Sequence, residues 1–185
     1  FALTPETADA GDGKDAAALT GEVRFEDVSF AYDADRRILD GISFTARPGE
    51  MVALVGLTGA GKSTLVNLIP RFFTPTGGRV LLDGVDVAAY GLRSLREQIA
   101  LVPQDAVLFG TTIADNIRYG RLAATDAEVA EAARAAHVDA FIGRLPRGYD
   151  TPLAGAGGTL AGGERQRLSI ARALLKNARI LVLDE

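Results

Sequence analysis

Hydrophobic and polar positions follow two different periods along the chain, and each period predicts a type of secondary structure. Apolar and polar residues alternate over 21–30 and again around 42–44, which predicts short antiparallel strands with a bulge at Glu26 and Asp27. Mainly apolar runs bounded by turn residues predict strands, and these runs occupy 51–55, 79–82, 99–102 and 180–183.

Apolar residues spaced three or four apart predict the helices, which cover 63–69, 92–98, 125–142 and 164–176. Thr112 and Thr125 each stand three residues before an acid, a pattern typical of the capping box that begins a helix. Strands that alternate with helices indicate an α/β fold with a mostly parallel, helix-covered sheet. An antiparallel β-subdomain precedes this sheet, and the helix-rich middle of the chain is predicted to be an insertion.

These changes of pattern define the predicted domain boundaries. Residues 1–20 carry four acids and one base among Ala, Gly and Thr, which predicts a flexible acidic linker. Residues 21–185 form the folded domain, with 21–103 and 165–185 in its core and 104–164 in the helical subdomain. Because the chain begins at Phe1 and its only methionine is Met51, we expect it to be an excerpt of a longer protein.

Composition excludes several classes of protein. The 185 residues are 48% hydrophobic and 24% charged, values typical of a soluble globular domain. The absence of cysteine excludes disulfides and cysteine-ligated metals. A net charge of −4 argues against nucleic-acid binding, and no apolar run in the sequence approaches membrane-spanning length.

One glycine-rich stretch matches the phosphate-binding loop pattern G-x-x-x-x-G-K-[ST] between a predicted strand and a predicted helix. A turn that binds nothing is the alternative, but a chance match in a chain of this length is on the order of 1%. Its glycines allow a tight curve around an anion, and the N–H groups at the helix start attract phosphate. The predicted nucleotide-binding residues are Gly56, Leu57, Thr58, Gly59, Ala60, Gly61, Lys62, Ser63 and Thr64.

Residues at the loop and at the last strand are predicted to perform the chemistry. Lys62 reaches the β- and γ-phosphates, and the Ser63 hydroxyl is a ligand for Mg²⁺. Asp184 and Glu185 follow the apolar run 180–183, at the carboxyl end of a strand where ligands of open α/β sheets bind. Asp184 is predicted to hold Mg²⁺, and Glu185 to orient and deprotonate the attacking water.

A second glycine pair stands before the helix at 164–176. Its residues are Leu160, Ala161, Gly162, Gly163 and Glu164. This segment, followed after one helix by Asp184 and Glu185, resembles the signature and second nucleotide motif of ATP-binding cassette (ABC) ATPases. The resemblance extends from about Gly21 to the end of the chain, and 107–117 is similar to the exporter branch of the family.

The resemblance implies further roles. Gln104 matches the glutamine loop that senses Mg²⁺ and the attacking water, and Tyr32 matches the aromatic that stacks on adenine. Two such domains, identical or different, would face each other head to tail, with each ATP between one phosphate loop and the partner's signature. The resemblance also implies a transmembrane domain upstream, a place at the cytoplasmic face of the membrane, and ATP hydrolysis that drives export.

Two departures from the family pattern change what we expect. Ala161 stands where the family usually has serine, so a hydrogen bond to the γ-phosphate across the dimer is lost and the signature is expected to be weakened; Glu164 replaces the usual glutamine. The sequence stops at Glu185, before the family's dimer-contact loop and switch histidine. We therefore expect the 185-residue chain alone to bind nucleotide weakly and to hydrolyse it slowly or not at all.

Three alternatives remain open at this stage. A soluble cassette ATPase serving nucleic-acid repair or translation is disfavoured by the exporter-like segment and the acidic lead. A regulatory module that binds ATP without turnover is disfavoured by Glu185. A GTPase or nucleotide kinase would leave the signature unexplained, and the sequence has no Asn-Lys-x-Asp segment to recognise guanine.

Overall fold

The computed structural model describes residues 13–33, 36–153 and 160–184, and the chain forms two units, Phe1–Ile99 and Ala100–Glu185. The first unit contains a four-stranded sheet of order β2–β1–β3–β4 in which all neighbouring strands are antiparallel. Its strands are β1 (Val23–Asp33), β2 (Arg36–Ala46), β3 (Gly77–Leu82) and β4 (Val85–Asp86). Its helices are α1 (Lys62–Leu68) and α2 (Leu92–Glu97), with a 3₁₀ turn at Val87–Ala89.

The second unit combines a small sheet with a group of packed helices. The sheet pairs β5 (Ile99–Val102), which begins at the last residue of the first unit, with β6 (Ile180–Leu183). The helices are α3 (Ile113–Arg118), α4 (Asp126–Ala135), α5 (Asp139–Ile142) and α6 (Gly162–Lys176), with a 3₁₀ turn at Gly148–Asp150. Their core is buried aliphatic residues, including Ile113, Ile117, Val129 and Leu168.

The predicted bulge and helix starts are present. Strand β1 shifts register between Phe25 and Val28, and Asp27 adopts a positive φ of 49° at that point. Thr125 forms the complete capping box with Glu128. The Thr112 hydroxyl accepts the N–H of Asp115 and so begins α3. Local sequence signals therefore predicted these elements correctly.

The predicted buried strand at 51–55 is absent from the described residues, where this segment belongs to no strand. Met51 is 96% exposed, and Val55 is exposed almost as fully. An apolar run forms a buried strand only when neighbouring strands pair with its backbone and side chains cover its faces. Neither is provided to 51–55 by the described part of the chain.

The single helix predicted over 125–142 is two helices, because the chain turns at His137. His137 has a positive φ of 55°, its N–H donates to Arg134 O, and the Val138 N–H donates to Ala133 O. These two bonds form a Schellman motif, which ends α4, and Val138 is fully buried beside it. The helical period continues through this turn, so periodicity alone could not reveal it.

Residues 13–22 pack against other segments of the first unit, although composition predicted a flexible linker over 1–20. Residues 1–12 are outside the described residues. Lys14 N donates to Ala89 O at 2.8 Å, and Gly91 N donates to Lys14 O at 3.0 Å. The Ala16 side chain is only 1% exposed, and Leu19 is also buried. Order therefore extends further toward the N-terminus than composition indicates.

The Asp83 carboxylate binds residues 20–22, at the end of this segment, through hydrogen bonds. Its Oδ1 accepts the N–H groups of Gly21 at 3.1 Å and Glu22 at 2.8 Å, and the hydroxyl of Thr20 at 2.8 Å. Burial raises the pKa of Asp83, but the bonds from Thr20, Glu22 and Gly21 outweigh burial and lower it below its ordinary value of 3.8. The charged form is therefore favoured by folding.

We expect Asp83→Asn to lower the free energy of unfolding by about 2 kcal/mol at neutral pH, because charge-assisted bonds to the 20–22 backbone are lost. A depressed pKa contributes stability above the ordinary carboxyl value, and this contribution is lost as pH falls through the folded-state pKa. The difference from wild type should therefore shrink below about pH 4. Urea unfolding followed by circular dichroism measures the free energy of unfolding of each protein. Asp40→Asn, which removes an exposed carboxylate paired with Arg37, is the control, and equal losses in both variants would contradict the role of Asp83.

Candidate nucleotide-binding site

The predicted phosphate loop forms a tight curve that ends at the first residue of α1. Gly59 and Gly61 have φ angles of 82° and 88°, in the left-handed region that L-residues with a side chain rarely adopt. Ala60 N donates to Leu57 O at 3.1 Å and closes a turn within the loop, and Leu65 N donates to Gly61 O as the helix begins. The glycine spacing thus produces the backbone curve that the motif requires.

Strand β2 packs against the loop at Gly61. A Cβ at this position would lie 2.9 Å from Leu39 Cδ2 and 3.0 Å from Ile38 Cγ2. The φ angle therefore favours glycine here, and a larger residue would also have to displace the Leu39 and Ile38 side chains. The contact with β2 consequently sets how closely the loop approaches the antiparallel sheet.

The Lys62 side chain turns back over the loop. Its Nζ donates to Gly56 O at 2.8 Å and to Leu57 O at 3.0 Å. These bonds place a positive charge at the concave side of the curve, where the phosphates of a nucleotide are expected to lie. The next residue, Ser63, exposes its side chain to solvent, whereas Thr64 is buried.

Tyr32 is the second predicted residue that the structure brings to the loop. Its hydroxyl lies 3.0 Å from Thr64 Oγ1, and its side chain is 54% exposed. Phe30 and Phe73 contact its ring edge to face, at centroid distances of 4.9 and 5.2 Å. A half-exposed aromatic ring beside the loop can stack on a base.

Phe73 was missed by sequence reasoning. It touches Phe30 as well as Tyr32, and so it completes an aromatic trio beside the loop. The only signal is a pair of phenylalanines shortly after Pro70. Such a pair is equally typical of ordinary core packing.

In the second unit, the sheet β5–β6 brings Gln104 and Asp184 to one edge. Asp184 N donates to Val102 O at 2.9 Å, so the end of β6 lies beside the end of β5. Gln104 follows two residues after Val102 and is exposed. Glu185, the predicted base, lies outside the described residues.

The signature segment begins helix α6. The helix starts at Gly162, and the glycine pair is exposed. Glu164 Oε2 accepts the Ala161 N–H at 2.9 Å, and Arg165 donates to Leu160 O at 2.7 Å. Ala161 has no hydroxyl to complete the reciprocal cap, which a serine would supply. Residues 154–159, just before this segment, lie outside the described residues.

The donor set predicted for the metal has the chemistry that Mg²⁺ requires. Ser63 offers a hydroxyl oxygen, Gln104 an amide oxygen and Asp184 a carboxylate oxygen. Hard oxygen ligands, few in number and supplemented by water and phosphate, are what Mg²⁺ binds in nucleotide sites.

No helix among residues 13–33, 36–153 and 160–184 combines the length and the apolar character needed to cross a lipid bilayer.

Comparison with known proteins agrees with the resemblance seen in the sequence. An ATP-dependent lipid A-core flippase of Aromatoleum aromaticum is 55% identical over 169 residues, which are 90% of this chain and 28% of the flippase. A fatty acid ABC transporter ATP-binding/permease protein of Mycobacterium bovis is 52% identical over 167 residues, 90% of this chain and 26% of that protein. The chain therefore spans less than a third of the length of these relatives.

A solved structure of a bacterial Atm1-family ABC exporter with ATP bound matches with a TM-score of 0.89 and 48% identity, over 95% of this chain and 31% of that one. The predicted α/β, P-loop NTPase class is confirmed by this match and by the family profile described as ABC transporter, which covers residues 39–185. The chain belongs to the ABC transporter family.

Proposed function

We propose that this chain is the nucleotide-binding domain of an exporter, which binds Mg-ATP and hydrolyses it to drive export across a membrane. The observation that carries the proposal is the curved loop 56–64, with the Lys62 ammonium held over its concave side. The names of its relatives support it, because they describe an ATP-dependent flippase, an ATP-binding/permease protein and an exporter with ATP bound.

Each predicted residue has a chemical task in this proposal. Lys62 and the loop N–H groups bind the phosphates, and Tyr32 stacks on adenine with Phe73 holding its ring. Ser63, Asp184 and Gln104 would hold Mg²⁺, which would supply positive charge to the β- and γ-phosphates. Glu185 orients the attacking water and accepts its proton.

Two such domains are proposed to meet head to tail, so that the signature of one completes the site of the other. The exposed N–H groups at the start of α6 would then face the γ-phosphate of the partner's nucleotide. Ala161 cannot add a side-chain hydrogen bond, so closure depends on the backbone of Gly162 and Gly163. ATP binding closes the pair, and hydrolysis reopens it.

A transmembrane domain is the second proposed partner. The helical unit exposes an apolar surface, here called the aromatic patch, made of Val107, Phe109 and Tyr119. Exposed apolar side chains in a cluster are typical of protein interfaces. We place the membrane domain on this patch, and we place the chain, as an ATP-binding domain, on the cytoplasmic face of the membrane.

The test is ATP hydrolysis by the full-length protein that carries this chain, purified in lipid nanodiscs. We expect turnover on the order of 1 s⁻¹ or faster, abolished by a chelator of Mg²⁺ and restored by adding the metal. Reconstitution in vesicles with a fatty acid or lipid A-core as probes then tests ATP-driven movement. Tight ATP binding without turnover would instead support the regulatory-module alternative.

A further inference from the structure

Arg172, in the third turn of α6, joins the signature helix to the aromatic patch. Its Nε donates to Asn116 O at 3.0 Å, one terminal nitrogen donates to Asn116 Oδ1 at 3.1 Å, and the other to Val107 O at 3.1 Å. The guanidinium also lies over the rings of Phe109 and Tyr119, 5.3 and 5.5 Å from their centroids. One side chain thus contacts every member of the patch.

The partner of Arg172, Asn116, fixes the loop that carries the patch. The Asn116 side chain is 1% exposed, and its Oδ1 accepts the Phe109 N–H at 2.8 Å. Its Nδ2 donates to Phe109 O, Thr111 Oγ1 and Thr112 O. Loop 109–112 is therefore held to α3, and Arg172 connects that assembly to α6.

Gly120 brings the patch into direct contact with α6. A Cβ at Gly120 would lie 2.1 Å from Arg172 O and 3.2 Å from Lys176 N, so the chain passes directly over the helix backbone. Tyr119, the residue before it, is 58% exposed, and its ring contacts that of Phe109 at a centroid distance of 4.6 Å with the ring planes tilted by 49°. No gap separates the patch from α6 at this point, so a displacement of the patch must also displace α6.

Packing alone does not explain an arginine at this place. Partial burial lowers the pKa of Arg172, and withdrawing a guanidinium from water is costly unless its donors find partners. Its planar fork satisfies three oxygen acceptors at once and stacks on two rings, which a lysine cannot do. Arg172 is the link between an exposed apolar surface and the helix whose first residues form the signature.

We infer that Arg172 is a positioning residue that transmits movement between the membrane domain on the aromatic patch and the signature at the start of α6. This inference rests on the proposed function. Arg172 does not touch the nucleotide in this scheme. It sets where Gly162 and Gly163 lie when the patch is occupied, and so it acts on the closed, hydrolysing state and not on ATP binding.

The test compares Arg172→Lys with wild type in the full-length protein in lipid nanodiscs. We expect kcat for ATP to fall about fivefold with KM nearly unchanged, the scale typical of mutations that alter coupling between sites. Hydrogen exchange should become faster at 107–112 and 116–119 and stay unchanged at 56–64. Arg144→Lys, at an exposed arginine of the same unit, is the matched control.

A second variant separates transmission from mere stability. Tyr119→Leu removes the ring that contacts Phe109 and Arg172 at an exposed position, so the fold should persist, and kcat should again fall. The double variant should be no slower than the slower single variant, because both act through one contact. Three results would overturn the role of Arg172 and leave the proposed function standing. They are an unchanged kcat in Arg172→Lys, a rise in KM that accompanies the fall in kcat, and additive losses in the double variant. A wild type without ATP hydrolysis would overturn the proposed function, and this inference with it.

Discussion

Replacing Lys62 with alanine is expected to lower the affinity of the protein for Mg-ATP by about a hundredfold or more. A charge-assisted hydrogen bond to an anion contributes about 1.5–3 kcal/mol, and the ammonium of Lys62 is placed to make more than one. The change also removes the bonds to Gly56 O and Leu57 O that hold the loop curled. Isothermal titration with Mg-ATP measures the effect.

Arg93→Ala is the matched control for this variant, because it also removes one positive charge from the first unit. Arg93 lies on α2 and makes an exposed ion pair with Glu97, so its loss should leave affinity unchanged. Both variants should unfold close to the wild-type midpoint, since the loop is exposed and surface ion pairs contribute little. Mg-ATP affinity retained in Lys62→Ala would remove the phosphate-loop assignment.

Much of the first unit could be predicted because its signals are local. The bulge at Asp27 and the turn at Asp83 and Gly84 depend on neighbouring residues, and both adopt the positive φ angles that such turns require. The loop 56–64 is likewise encoded by glycine spacing. The close approach of Leu39 and Ile38 to Gly61, by contrast, appears only in the folded chain.

The failures come from interactions between residues far apart in sequence. The segment 51–55 is apolar, but whether it pairs as a strand depends on which backbone lies beside it, and no local signal carries that information. Residues 13–20 have the composition of a linker, yet the carboxylate of Asp83, more than sixty residues away, holds Thr20. Composition predicts the average behaviour of a segment and misses a single long-range partner.

The residues of the candidate site fall into the same two groups, those with a local sequence signal and those without one. Motif spacing predicted the loop 56–64, the strand-end position predicted Asp184, and the resemblance to ABC ATPases supplied Gln104 and the signature segment. Asn116 and Arg172 were not predicted, since an isolated asparagine or arginine on a helix has no distinctive pattern. Their importance appears only when the folded chain brings α3 and α6 together.

Replacing Glu185 with glutamine is expected to lower kcat of the full-length protein by about 10²- to 10⁴-fold, the range lost with a general base. The residue before it, Asp184, is fixed at the end of β6 by its N–H bond to Val102 O, so the amide should occupy nearly the same place. Glutamine can orient water but cannot accept its proton. Affinity for Mg-ATP should therefore remain close to wild type.

Because binding persists while hydrolysis stops, the Glu185→Gln protein should accumulate as an ATP-bound closed pair. Size-exclusion chromatography of the two-domain assembly would detect this pair, as would cross-linking between the signature of one domain and the phosphate loop of the other. Glu131→Gln, an exposed carboxylate on α4, is the control and should turn over normally. Near-normal turnover in Glu185→Gln would show that another group takes the proton. Loss of Mg-ATP binding together with turnover would show that Glu185 holds the nucleotide or its metal and is not the base.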